Sequence, residues 1–274
     1  MTTVLITGTS SGIGRATVRR LARRPDLTVY ATARNLDAIA DLADSGARLL
    51  TLDVTDEDSM RAAVAAVEAA HGHVDVLVNN AGYGEYGPIE ETALDRVRAQ
   101  FETNVFGLAR LTQLVLPGMR RAGRGRIVNV SSMGGRLVFP GGGYYHASKY
   151  AVEAISDALR QEVRPFGVDV AIVEPGLIRT GFGAVASSSL GAGADQGSPY
   201  RRMVETVDAV MARSYRNRLL SATPDTVARV IERAVTGRRP RTRYLVTAAA
   251  WAMVHTRRLF GARVFDTVNR LQFR

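Results

Sequence analysis

The chain has no cysteine, one lysine and one tryptophan in 274 residues. The missing cysteine excludes a disulfide scaffold, a thiolate zinc site and a cysteine nucleophile. The four histidines, His71, His73, His146 and His255, are not spaced as a metal-ligand cluster, so no metal is expected. Long hydrophobic runs are missing too. The longest, residues 244–254, falls well short of the roughly 20 residues needed to span a bilayer. The chain opens directly into the strand-like run Val4-Leu5-Ile6, so no secretory leader is expected and the protein should be cytoplasmic. Arginine, by contrast, is plentiful: it supplies 35 of the 36 basic side chains, and Lys149 is the one lysine. Residues 1–200 carry 20 basic and 21 acidic side chains, a net of −1, and residues 201–274 carry 16 and 5, a net of +11. The total of +10 therefore belongs to the last quarter, which argues against a nucleic-acid footprint across the molecule. An apolar content of 46% with 23% charged residues is that of a folded globular chain.

Short apolar, β-branched runs alternate with segments of helical period. Strands are expected at residues 4–7, 28–32, 48–52, 76–78, 126–130 and 168–173, and helices at 15–24, 58–71 and 148–163. This alternation predicts an α/β fold, a single doubly wound parallel sheet with helices on both faces. Residues 183–198, rich in Gly, Ala and Ser, read as a mobile loop inside the domain. Thr223 and Pro224 can start a helix running toward Gly237, and Tyr244-Leu245-Val246 is a plausible last strand. In the tail, Phe260, Val264, Val268 and Leu271 share one helical face, with Arg263, Arg270 and Arg274 elsewhere. The expected organisation is one domain over 1–246, including a substrate loop at 181–220, and a basic amphipathic helical tail over 247–274. That tail either docks on its own protein or makes a peripheral contact with an anionic membrane.

Thr7-Gly8-Thr9-Ser10-Ser11-Gly12-Ile13-Gly14 follows the first strand and opens the first helix. Gly8 permits a tight turn, Gly12 lets backbone N–H groups approach a phosphate, and Gly14 allows close helix–strand packing. The helix N-terminus adds free N–H groups and a positive dipole end, so a pyrophosphate site is expected here rather than an ordinary Gly-rich turn. The second strand ends Ala33-Arg34. An NAD site would carry a carboxylate there for the ribose 2′-OH, whereas a guanidinium pairs with a 2′-phosphate, which favours NADP. Tyr145 and Lys149 lie four residues apart, on one helix face. An ammonium there would lower the phenol's pKa and make Tyr145 an acid–base group. Arginine is bulkier, planar and permanently charged, which fits the survival of lysine at this one position. Tyr144 has only uncharged Ser148 in the corresponding place.

The GxxxGxG spacing, with the Tyr-x-x-x-Lys pair, resembles the short-chain dehydrogenase/reductase family, and especially its retinol and 17β-hydroxysteroid dehydrogenase members. The resemblance covers residues 3–180. It implies a Rossmann-type fold, NADP(H) as cofactor and a homodimer or homotetramer. Asp53, with Val54 beside it, resembles the family's aspartate near the adenine; on the residues alone Asp53 could equally cap the next helix. Asn79-Asn80-Ala81-Gly82 matches the family's NNAG motif beside the adenosine ribose. Ser132, 13 residues before Tyr145, matches the catalytic serine, with Ser131 ranked behind it. Asn104 matches the position that bends a helix and anchors a proton-relay water; as a plain helix-interior residue it would bond its i−4 carbonyl. Pro175, Gly176, Ile178 and Thr180 match the segment that meets the nicotinamide.

The reaction so implied interconverts a ketone or aldehyde and an alcohol. Ser132 orients the carbonyl, Tyr145 transfers the proton, Lys149 tunes Tyr145 and holds ribose, and Asn104 supports proton refill. Tyr83, Tyr86, Met133, Phe139 and Phe182 are the candidate pocket walls, so the substrate is expected to be lipophilic or aromatic. Other classes are a non-enzymatic NADP-binding sensor, a reductase of a small polar carbonyl, and a sugar-nucleotide epimerase; glycine spacing and length disfavour the last.

Overall fold

The computed structural model describes residues 1–191 and 197–272. Its strands are β1 (Thr2–Ile6), β2 (Leu27–Ala33), β3 (Arg48–Thr51), β4 (Val76–Asn79), β5 (Gly125–Val130), β6 (Val168–Glu174), β7 (Leu177–Ile178), β8 (Ser221–Ala222) and β9 (Arg243–Leu245). Seven of them form one parallel sheet in the order β3-β2-β1-β4-β5-β6-β9, and β7 and β8 form a small parallel pair outside it. Strands that carry apolar residues on both faces need a helical layer on each side, and both layers are present.

Side chains alternate across the sheet. Val4 and Ile6 of β1 point to one face, where Val18 and Leu21 of α1 (Gly12–Leu21) and Val227 and Ile231 of α8 (Pro224–Thr236) close the core. Leu5, Leu77 and Ile127 point to the other. There they meet Met60 and Val64 of α2 (Glu57–His71), Leu111 and Val115 of α4 (Leu108–Ala122), and Leu159 and Val163 of α5 (Gly143–Val163). The strand order reverses between β1 and β4, and a crevice opens there at the carboxyl ends of the strands.

The expected strands are present, each shifted by at most two residues at an end. Three differences bear on function. First, α5 begins at Gly143 rather than 148, which places both Tyr145 and Lys149 inside the helix. Second, the expected loop over 183–198 is helical in its first part. α6 (Phe182–Gly191) buries Ala186 and Leu190, with Leu190 against Val204 and Val207 of α7 (Arg201–Arg216). Residues 192–196 lie outside the described residues. Glycine and serine content suggested a loop, but Ala186, Ser189 and Leu190 supply a packed face at helical spacing. Third, the tail is α9 (Ala248–Gln272), which bends at Gly261 (φ 75°, ψ 178°). Its buried side chains are Ala250, Val254, Phe265 and Asn269. Phe260, Val264 and Leu271 of the expected docking face are exposed, and the Val268 side chain and Arg274 lie outside the described residues. The buried stripe Ala250, Val254, Phe265 and Asn269 runs beside the expected one, so the more apolar face is not the one that packs. Among the described residues, no helix is long and apolar enough to cross a membrane.

Candidate active site

A single cavity of about 1280 Å³ runs along the carboxyl ends of the central strands. At one end lies the glycine turn. Gly8 and Gly12 have φ of 68° and 54°, the left-handed region that side chains avoid. A Cβ on Gly8 would lie 2.8 Å from the Ala81 Cα, and one on Gly14 would lie 2.3 Å from the Gly8 carbonyl oxygen. Asn80 fixes this turn by donating from Nδ2 to the carbonyls of Thr7 (2.9 Å) and Gly8 (3.0 Å). The N-cap of α1, Ser11, makes no side-chain capping bond, so the first-turn N–H groups are left for an anion. Ser10, Ser11 and Ile13 line the cavity; Gly14 stands behind the wall as a packing residue.

The other end of this part of the cavity, where the adenosine is expected, is bounded by Arg34, Asp53 and Val54. Arg34 is exposed and, among the described residues, has no carboxylate partner. Asp53 is not the cap of α2. It accepts from the N–H and hydroxyl of Thr55 through Oδ1, while Asp56 caps the helix by accepting from Asp58 and Ser59. The two asparagines of the Asn79-Asn80 pair divide their work. Asn79 is buried and donates to Asn129 Oδ1 (2.9 Å) and Thr112 Oγ1 (3.1 Å), tying β4 to β5 and α4, and Asn80 serves the glycine turn.

At the centre, Tyr145 and Lys149 project from the first two turns of α5, with the Lys149 Nζ 6.0 Å from the Tyr145 ring centroid. The Lys149 ammonium donates to the Val130 carbonyl at 3.0 Å. Burial lowers its pKa to about 8, against support from Glu153 one turn on. Burial also raises the Tyr145 phenol to about 12, and a hydrogen bond from Ser132 pulls the other way. The expected lowering of Tyr145 by Lys149 is not seen: burial dominates, and it is Ser132 that opposes it. Ser132 is held by the Gly134 N–H, which donates to its Oγ at 3.0 Å. Ser131 instead lies with Glu153 around Gly135 and acts on that carboxyl, not on Tyr145. Tyr144 points away and donates to the Ile89 carbonyl.

Asn104 lies behind the cavity wall, in a π-helical turn over Glu102–Gly107 that joins α3 (Leu94–Phe101) to α4. It does not bond its i−4 carbonyl. Its Oδ1 accepts from the Tyr83 N–H (3.0 Å), and its Nδ2 donates to the Tyr83 carbonyl (2.9 Å) and to Ser148 Oγ (3.1 Å). Ser148 in turn donates to the Tyr145 carbonyl at 2.7 Å. A Cβ on Gly82 would sit 2.9 Å from Asn104 Oδ1 and 3.6 Å from Lys149 Nζ, so the two side chains converge on one glycine. Pro175, Gly176, Ile178 and Thr180 line the cavity beside them. Thr180 accepts from the Phe182 N–H at 3.2 Å and starts α6.

Beyond Tyr145 the walls become apolar. Tyr86 stacks on Tyr145 (5.6 Å between centroids, 28° between planes), and Phe182 meets it at 5.3 Å. Tyr83, Met133 and Phe139 complete the expected walls. Sequence reasoning missed several others. His146 is buried, pairs through Nδ1 with the Gly134 carbonyl, and is held neutral by burial, which lowers its pKa to about 4. Tyr215 and Met211 come from α7, and Ala249, Ala252 and Met253 come from α9. The small residues at 248–250 were the one visible sign that this helix could line a ligand space.

Residues 2–190 match the family model for short chain dehydrogenases. The chain belongs to the short-chain dehydrogenase/reductase family of oxidoreductases. It is 43% identical over 183 residues to a 3-ketodihydrosphingosine reductase of Bacteroides thetaiotaomicron, a match covering 65% of each chain and so less than two thirds of that relative's length. It is 35% identical to the oxidoreductase YbbO of Escherichia coli K12, over 97% of this chain and 93% of that one. It is 40% identical to human 17-beta-hydroxysteroid dehydrogenase type 1, over 66% of this chain and 58% of that one. Among solved structures, a short-chain dehydrogenase from Streptomyces avermitilis superposes with a TM-score of 0.81 at 36% identity, covering 98% and 99% of the two chains. A Burkholderia phymatum relative (TM-score 0.79, 27% identity, 94% and 92% covered) is in complex with NAD. A metagenomic one (TM-score 0.69, 26% identity, 90% and 96% covered) is in complex with NADP.

Proposed function

We propose that this protein is an NADP(H)-dependent oxidoreductase that interconverts a lipophilic ketone or aldehyde and its alcohol. The observation that carries the proposal is the continuity of the cavity. One space joins the glycine turn, the unpaired Arg34 guanidinium, the Ser132–Tyr145–Lys149 group and an apolar lobe. The cofactor, when bound, supplies or accepts the hydride. The glycine turn and the α1 N-terminus hold the pyrophosphate, and Arg34 meets the 2′-phosphate. Ser132 donates a hydrogen bond to the substrate oxygen. In reduction Tyr145 gives its proton to that oxygen, and a phenol with a pKa near 12 carries the proton throughout the neutral range. Lys149 steadies the phenolate left behind, and Asn104 positions the Tyr83 backbone and the start of α5. Tyr86, Phe139 and Phe182 on one side and Met211 and Met253 on the other suit an extended apolar substrate. The relatives named for a 3-ketodihydrosphingosine and a 17-beta-hydroxysteroid support the same class.

The test is NADPH oxidation against a carbonyl panel spanning long-chain ketones, steroids, retinal and small sugars. Turnover is expected on the lipophilic members. Tyr145→Phe should lose about 100- to 10,000-fold in kcat while still binding NADPH, because the ring and its stacking remain. Equal turnover by the variant, or a preference for sugars, would refute the proposal.

A further inference from the structure

The second half of α9 is the most conspicuous surface feature outside the cavity. Every residue from 258 to 264 is exposed, around the bend at Gly261. Leu259, Phe260 and Val264 are exposed by 75%, 62% and 45%. Trp251 and Leu271, on either side, are exposed by 57% and 67%. Scattered single apolar residues on a surface need no explanation, but a projecting corner carrying three of them does. The same corner is cationic. Among the described residues, Arg258, Arg263 and Arg270 have no carboxylate partner, and Asp266 is the one acidic residue after position 247. Arg257 is anchored inward by the Arg136 carbonyl and the Tyr150 hydroxyl, which ties the corner to the domain. On the inner side Val254 and Phe265 pack with Leu137, Met133 and Phe139, so the helix is held by one face and leaves the other unpartnered.

We propose that this corner docks on an anionic lipid bilayer, with Leu259, Phe260 and Val264 in the headgroup–acyl boundary and Arg258, Arg263 and Arg270 at the phosphates. Charge selects this occupant. The last 74 residues carry a net +11, and the rest of the chain carries −1. A contact between two copies of this corner would bring Asp266 as the one acidic group against these arginines. A nucleic acid offers phosphates but no apolar phase for Leu259 and Val264. An anionic lipid surface satisfies both halves of the pattern, and each basic residue near it strengthens binding by about fivefold. Docking would also bring the bilayer beside the cavity, because Ala249, Ala252 and Met253 of α9 are part of its wall. The docking does not depend on the reaction assigned above, and its test uses no turnover.

The experiment is vesicle flotation of the full-length protein with phosphatidylcholine alone and with 30 mol% phosphatidylglycerol. Trp251, the only tryptophan, reports the contact by its fluorescence. Expected are binding at least tenfold tighter to the anionic vesicles, a blue shift of Trp251, and weakening in 0.5 M salt. Leu259→Ser combined with Phe260→Ser, and separately Arg258→Gln combined with Arg263→Gln, should each weaken binding at least tenfold with the melting temperature unchanged. No preference for anionic vesicles, or variants that bind as the parent does, would overturn the proposal. So would a fall in oligomer mass for the Leu259→Ser/Phe260→Ser variant by light scattering, which would assign the corner to a second copy. Equally tight binding to duplex DNA would overturn it as well.

Discussion

At the scale of single residues, the chemistry turns on where a positive charge stands. Arg34 is an exposed guanidinium with no carboxylate partner at the rim of the adenosine end. Replacing it by aspartate substitutes a group that repels a phosphate and can accept from a ribose 2′-OH. Arg34→Asp should weaken NADPH binding by about 10- to 100-fold and improve NADH relative to it, since charged hydrogen bonds are worth roughly 1.5–3 kcal/mol. Titration with the two cofactors reads this directly, and unchanged selectivity would remove Arg34 from the site. Lys149 makes a pH prediction. Its folded pKa is lowered to about 8 by burial, so its charge is present below that value and lost as pH rises through it, while Tyr145 keeps its proton to about 12. The rate of carbonyl reduction should therefore be level through neutral pH and fall above about 8. Lys149→Arg should abolish that limb, since a guanidinium does not titrate there, and cut the rate at all pH values by misplacing the charge. A profile of kcat/KM against pH in both proteins decides it. Tyr145 and Lys149 were legible in the sequence because their chemistry is tied to a four-residue spacing, and Ser132 only through its resemblance to the family's serine. His146, Tyr215 and Met253 were not, because they reach the cavity through tertiary packing that no local spacing encodes.

At the scale of elements, the π-helical turn Glu102–Gly107 is a device for aiming one side chain. A regular helix would let Asn104 bond within its own turn. The wide turn instead sends it across to Tyr83 and Ser148, where three hydrogen bonds end. Asn104→Ala would leave the Tyr83 N–H and carbonyl without these partners, at a cost of about 1–3 kcal/mol. It would also loosen Gly82 and the start of α5 while leaving the pyrophosphate turn intact. We expect a melting temperature lower by several degrees, a roughly tenfold or larger loss in kcat, and NADPH affinity within a few-fold of the parent. Loss of cofactor binding as the main effect would contradict this division of labour. The sheet and its flanking helices were readable because buried parallel strands make continuous apolar runs. The region after residue 180 was less so. There α6 hides behind a Gly- and Ser-rich composition, and α9 buries Phe265 and Asn269 while leaving the more apolar stripe of Phe260, Val264 and Leu271 exposed.

For the molecule as a whole, the last strand is locked to α5, the helix that carries Tyr145 and Lys149, by ion pairs at buried carboxylates. Arg243 on β9 reaches Glu153 of α5 and Glu174 of β6, both at 3.1 Å, and also Asp157. Arg136 meets Glu174 at 3.1 Å. Glu153 and Glu174 are 6% and 1% exposed, so neither can turn to water for a partner. Burial and the neighbouring Glu174 hold the Glu153 carboxyl up at about 7, and Arg243 opposes them. Replacing Arg243 with methionine keeps the stem and removes the charge that both carboxylates face. Breaking a buried pair on one side typically costs about 3–5 kcal/mol, because the remaining charge is left uncompensated. For a chain of this size that is a fall in melting temperature of roughly 6–20 °C. The pH dependence separates this cause from simple loss of packing. Below pH 7 Glu153 takes up a proton and needs no partner, so Arg243→Met should cost clearly less at pH 5 than at pH 8. A packing defect would cost the same at both. Thermal unfolding of parent and variant at the two pH values measures the difference. Because Glu153 also lies one turn from Lys149 and supports its charge, the variant's reduction rate should change along with its stability, which links the sheet edge to the active site.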